Sequence, residues 1–162
     1  MTTGIGGASR RLSANGGRTI GPVKRVLGGG IELDDDRERV DVDELHRFLS
    51  NEAYWALGRP RSEVERLVRD SSYVVGLYDG QRQVGFARAV SDGNSFAYLG
   101  DVYVHPDYRG RGLGLELARH MFEESPYADQ RWLLHTLDAH DFYRRFGFGP
   151  PSERLLERPK RS

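Results

Sequence analysis

Apolar positions recur along the chain with two periods, and the changes of period mark out its elements. A short strand is expected near Ile31. Val42, Leu45 and Leu49 are then spaced for one face of a helix, with Asp41 at the N-cap and Glu44 placed to complete a capping box. After a break at Gly58 to Pro60, Ser62 and Glu65 repeat that pattern ahead of an apolar stripe of Val64, Leu67 and Val68, which predicts a second helix. From Tyr73 the residues become β-branched and aromatic. Strands are expected at Tyr73 to Tyr78, Gln81 to Val90 and Phe96 to Val104, joined by an Asp79-Gly80 turn and a turn over Ser91 to Ser95.

Helical spacing returns between Gly112 and Ser125. It places Leu113, Leu117, Ala118, Met121 and Phe122 inward, and Glu116, Arg119, His120, Glu123 and Glu124 outward. Arg131 to Leu137 reads as another strand, Ala139 to Phe146 as a short helix closed by Gly147, and Phe148 onward as an extended segment. The plan is α+β, with a largely antiparallel meander and about four helices.

Composition narrows the function classes. The chain has 162 residues, 38% of them hydrophobic, enough for one continuous core, placed here at residues 31–155. Its 24 basic and 24 acidic residues cancel, so no global field draws it to nucleic acid or an anionic membrane, and neither partner is expected. The absence of cysteine excludes thiolate nucleophiles and cysteine-based zinc sites; the histidines show no metal-binding spacing, so no metal is expected. No apolar run is long enough to span a bilayer or form a signal peptide, which points to a cytoplasmic protein. Residues 1–30 hold nine glycines and five basic residues and no acidic one; a disordered extension is expected, with a basic arm as the functional alternative. Residues 156–162 read as a charged tail.

The strand ending at Val104 leads through His105 and Pro106 into Arg109, Gly110, Arg111, Gly112, Leu113, Gly114, where a helix begins. Glycines let the backbone approach a ligand and adopt positive φ, while the first helical N–H groups point outward, so this turn is a candidate anion site. The dinucleotide fingerprint fails because Leu115 stands where its third glycine belongs, and the Walker Gly-Lys-Ser/Thr is absent.

The run Asp101, Val102, Tyr103, Val104, His105, Pro106, Asp107, Tyr108, Arg109 to Gly114 resembles the signature of the GCN5-related N-acetyltransferase superfamily, whose Arg/Gln-x-x-Gly-x-Gly/Ala turn binds acetyl-CoA. Ala139, followed by Tyr143 and then Gly147-Phe148, resembles its second signature. The resemblance implies a mixed sheet splayed between its fourth and fifth strands. Acetyl-CoA would lie in the gap, paired with main-chain groups of Val102 and Val104 beside Tyr103, its pyrophosphate on Arg109 to Gly114. It also implies acetyl transfer to a primary amine, taken here as a small molecule. A noncatalytic acyl-CoA-binding or partner-binding module and a protein lysine or N-terminal acetyltransferase are the alternatives. Homodimers are common among such proteins.

Acyl transfer needs a neutral amine, a stabilised carbonyl oxygen and a proton for the thiolate. By the resemblance, Tyr143 supplies that proton. Asp101, a carboxylate within an apolar strand, is either the residue that holds or deprotonates the amine or a structural group bonded to backbone, and strand parity sets it apart from Tyr98, Gly100 and Val102. His105 and His135 are the other base candidates. Tyr54 and Trp55 lie between the first two helices, where acceptors bind, with a core-anchor role as the alternative for Trp55. Thr136 replaces the asparagine that many relatives use to hold the cofactor, and Arg144 and Arg145 are candidates for its phosphates.

Overall fold

The computed structural model of the chain describes residues 21–161. One sheet runs in the order β1 (Lys24–Val26), β2 (Glu32–Asp34), β3 (Tyr73–Asp79), β4 (Arg82–Ser91), β5 (Phe96–Val104), β6 (Arg131–Leu133). The first five strands pair antiparallel and β6 pairs parallel to β5, making a mixed, mostly antiparallel sheet. The helices are α1 (Val42–Asn51), α2 (Arg61–Asp70), α3 (Leu113–Arg119) and α4 (His140–Arg144).

The sheet separates two cores, as alternating strand side chains require. On one face Leu45, Phe48, Leu49, Val64 and Val68 of α1 and α2 pack on Val74, Phe86 and Tyr103. On the other, Leu113, Leu117, Met121, Phe122 and Tyr143 cover Val75, Leu77, Ala87, Ala89 and Leu99. Asp41 caps α1 by accepting from Asp43 N and Glu44 N. The expected capping box is not completed: Glu44 pairs with Arg47, and the Asp41 N–H goes to Gln83 Oε1 at 2.9 Å. At α2 the N-cap is Pro60, with no side-chain cap from Ser62.

Three boundaries differ from expectation. Order begins before Ile31: β1 lies within the segment expected to be disordered, and Arg25 reaches across to Glu124 at 2.6 Å. Residues 1–20 of that segment and Ser162 of the tail lie outside the described residues. Because of β1, the expected parting of the sheet falls between β5 and β6. The predicted strand Arg131 to Leu137 stops at Leu133, and residues 148–161 form no strand but run irregularly along an open groove of about 1170 Å³. Among the described residues no helix is long and apolar enough to cross a membrane.

His120 is the fourth difference. Expected outward, it is fully buried, because seven residues after Leu113 it lies two helical turns along the same inward face. Beyond it the helix widens into a π-turn over His120–Glu124, closed by the Ser125 N–H on His120 O. The His120 Nε2 lies 2.8 Å from Tyr73 Oη and its Nδ1 3.1 Å from Glu124 Oε2. Burial holds the imidazole below its ordinary value of 6.5, against the pull of Glu124. The unfolded chain therefore binds this proton more readily than the folded one, and stability is complete above about 6.5 and falls as the pH drops. Thermal unfolding followed between pH 7.5 and 5.5 should show a declining midpoint, and the decline should flatten in His120→Gln.

Candidate active site

Strands β5 and β6 pair only over Phe96–Arg131, Ala97–Trp132 and Tyr98–Leu133. Beyond Tyr98, among the described residues, the outer edge of β5 has no strand beside it. The His105 N–H bonds to Val84 O at 2.8 Å, so strand alternation turns the polar main-chain groups of Val104 and Val102 away from β4 and into the gap. Tyr103 pairs with Phe86, so its main-chain groups face β4 and not the gap. Its ring stacks on Phe48 at 4.1 Å and its hydroxyl accepts from Gln83 Nε2, on the opposite face.

Past a short turn at Pro106–Tyr108, Gly110 and Gly112 adopt φ of 77° and 76°, and a Cβ on either would meet no atom within 4 Å. These are left-handed conformations over open space, and Gly112 is the N-cap of α3. Arg109 folds back, its Nε donating to Val104 O at 3.1 Å, while Arg111 lies 4.9 Å over the Tyr108 ring. An unpaired strand edge, a glycine nest, free helical N–H groups and two arginines together fit a ligand with amides at one end and phosphates at the other.

Tyr143 stands on α4, near Tyr54 and Asp138. It is buried among Phe122, Phe142 and Phe148, and burial pushes its phenol up to about 12, aided by the nearby Tyr54 and Asp138. It is thus a neutral O–H donor throughout the working pH range. Thr136 does not stand free, because its Oγ1 accepts from Ala139 N at 3.1 Å and shapes the entry to α4. Arg144 pairs with Asp141 on an exposed helix face, and Arg145 is exposed beside it.

On the opposite lip, β5 carries a bulge: Phe86 pairs with Tyr103 and Arg88 with Gly100, so Asp101 and Val102 together oppose Ala87. Asp101 takes the extra position with φ of 50°, among the described residues the one non-glycine in the left-handed region. The bulge breaks the expected parity. Asp101 turns to the face of Gly100 and Arg88, while Val102 packs toward the α3 core. Its Oδ1 accepts from Trp55 Nε1 at 3.0 Å and Arg59 Nη1 at 2.9 Å, and its Oδ2 from Arg88 Nε at 2.7 Å. Burial would raise its carboxyl, but Arg88 and Arg59 outweigh this and hold it below the carboxylate range. With both oxygens engaged, Asp101 is suited to holding structure and is a weak base.

The same network gives Trp55 its place: 43% exposed, it is tied by its N–H to Asp101 and is not a core anchor. Tyr54 packs edge-on against Trp55, and its hydroxyl accepts from Leu137 N at 2.9 Å. His105 caps the turn after β5 through Asp107 N and contacts Arg82. His135 bonds to Tyr98. Arg59, Arg88 and Tyr98 escaped notice in the sequence, although an arginine inside the apolar run Val84 to Val90 was a signal that a buried partner existed.

The acetyltransferase (GNAT) family model matches residues 30–148. The chain belongs to this family. It is 32% identical to the uncharacterized N-acetyltransferase ycf52 of Porphyra purpurea over 73% of this chain and 72% of that protein. It is also 31% identical to the peptidyl-lysine N-acetyltransferase YjaB of Salmonella typhimurium, over 68% of this chain and 70% of that one. Among solved structures, a GNAT-family acetyltransferase from Xanthomonas campestris superposes with a TM-score of 0.76 and 38% identity, covering 80% of this chain and 93% of that one. The sequence and structural likenesses agree on an acetyltransferase of the GNAT family.

Two substitutions probe the two lips. A Cβ at Gly114 would stand 3.9 Å from Val104 Cγ2, an ordinary contact, and a carboxylate in the first turn of a helix is tolerated. Gly114→Asp should therefore keep the unfolding midpoint while weakening acetyl-CoA binding by about 10-fold or more, roughly 1.4 kcal/mol of charge repulsion, measurable by calorimetric titration. Asp101→Asn strands two arginines that are 12–16% exposed and should cost about 3 kcal/mol in chemical denaturation.

Proposed function

We propose that this GNAT acetyltransferase moves an acetyl group from acetyl-CoA to the primary amine of a small molecule, by direct attack on the thioester. The observation that carries the reading is the unpaired β5 edge beyond Tyr98, which runs on to the glycine turn before α3. Main-chain groups of Val102 and Val104 would hold the amide-bearing arm. Gly110 to Gly114, with Arg109 and Arg111, would hold the phosphates. Bound there, the cosubstrate supplies an acyl carbon activated by its sulfur.

Tyr143 then donates its phenolic proton to the departing sulfur. A phenol at about 12 is a weak acid in water, but the burial that raises it also raises the thiol forming beside it, so the transfer is closer to balanced than the ordinary values suggest. Tyr54 and Trp55, 47% and 43% exposed, present aromatic surface at the acceptor mouth, which suits an amine with an apolar or aromatic body. Asp101 serves that mouth indirectly, by fixing Trp55 and Arg59.

A second reading, acetylation of a protein lysine, is favoured by one observation, the peptidyl-lysine acetyltransferase among the relatives. Free-thiol release from acetyl-CoA, measured with arylalkylamines, polyamines and lysyl peptides, separates the two. Turnover on small amines supports the first reading; turnover confined to peptides supports the second. Stabilisation by acetyl-CoA with no thiol release on any acceptor would identify a noncatalytic binding module. With the best acceptor, Tyr143→Phe should lower kcat about 100-fold or more while acetyl-CoA affinity is kept. An unchanged kcat removes Tyr143 from the mechanism.

A further inference from the structure

An alkylammonium must lose a proton before it can attack, and the saturated carboxylate of Asp101 is poorly placed to take it. We propose that Tyr98, His135 and Glu157 form the relay that does, an assignment that rests on the acetyl-transfer reading above. Tyr98 stands on β5 at its last pair with β6, where the gap opens. Its hydroxyl lies 3.0 Å from His135 Nδ1, and His135 Nε2 lies 3.4 Å from Glu157 Oε2.

Three parts of the chain converge to make this row: β5, the segment after β6, and the C-terminal segment. Trp132 and Leu134 pack into the α3 core, so alternation turns Leu133 and His135 to the other face, the one bearing Trp55 and Asp101. Two residues beyond His135, Leu137 N is held by Tyr54 of the acceptor loop. The row therefore borders the acceptor mouth. The charged groups facing it are Arg88 and Asp101 beside Tyr98, with Glu157 beyond the imidazole, and Tyr54 is the other titratable group near its end. His135 is 67% exposed, so a proton collected there passes on to solvent.

With the imidazole neutral, Nε2–H points to Glu157 and Nδ1 accepts the Tyr98 hydroxyl. The ammonium gives one proton to Tyr98 Oη as the Tyr98 proton moves to Nδ1, leaving an imidazolium opposite the Glu157 carboxylate. The freed nitrogen lone pair forms the C–N bond, the C–S bond breaks, and the sulfur takes the Tyr143 proton. The second proton shed as the amide forms balances the one Tyr143 gave. One proton is released overall, from His135 to water. Tyr98 touches the amine in this scheme; His135 and Glu157 act through it.

The test is the pH dependence of kcat/KM for full-length wild type, Tyr98→Phe, His135→Gln and Glu157→Gln, with acetyl-CoA affinity and unfolding midpoint measured alongside. Tyr98→Phe should lower kcat about 100-fold with cosubstrate affinity unchanged. His135→Gln should lose the ionisation on the acidic limb, and Glu157→Gln should reduce kcat/KM by a smaller factor. Wild-type turnover with an unmoved acidic limb in His135→Gln overturns the relay alone. Absence of thiol release on every amine and peptide, with acetyl-CoA still bound by wild type, overturns the acetyl-transfer reading and the relay with it.

Discussion

The parting of β5 from β6 after three residue pairs is the constraint on which the site depends. A strand interior to a sheet spends its N–H and C=O groups on both neighbours, whereas β5 beyond Tyr98 spends only those that face β4. The remainder must be met by water, by side chains or by an extended ligand. Arg109 meets one of them, the Val104 carbonyl. A ligand with alternating amides meets such an edge as another strand would, and the glycine turn continues the same line toward phosphate.

The bulge at Asp101 is the counterpart of that parting on the inner side of β5. An extra residue twists the strand and reverses the faces of what precedes and follows it. Val102 thereby joins the α3 core while Asp101 joins the arginines. A left-handed aspartate is a costly choice, and it is held by Arg59, Arg88 and Trp55, which reach it from the α1–α2 connection and β4. Gly100 is part of the same arrangement: a Cβ there would stand 3.0 Å from Arg88 Nη2, so a larger residue would push the guanidinium off its path across β5.

Periodicity made the helices, the meander and the turn before α3 legible, because each has a one-dimensional signature in spacing and punctuation. The contacts that orient the site have none. The bulge depends on how two strands register, so the parity of Asp101 inferred from alternation was inverted. His120 was assigned to the solvent side with the charged residues around it, although seven residues after Leu113 it repeats that leucine's place on the helix face, and it is buried there. Thr136, Trp55 and Tyr54 were singled out by the sequence, but their partners, Ala139 N, Asp101 and Leu137 N, are set by tertiary approach. The two signature segments were legible for the opposite reason: their geometry is local, a glycine nest and a short helix carrying one tyrosine.

The α1–α2 connection links these features. Through Trp55 and Arg59 it is bound to the β5 lip of the gap at Asp101, and through Tyr54 it is bound to the chain beyond β6 at Leu137. Tyr54 and Trp55 are adjacent, their rings edge-on at 5.0 Å, so the two attachments act as one brace across the opening. A brace of this kind ties the width of the gap to the surface that Tyr54 and Trp55 present, because neither lip can move without pulling on the other. The two lips are therefore mechanically one unit, joined by an indole N–H and a phenol oxygen.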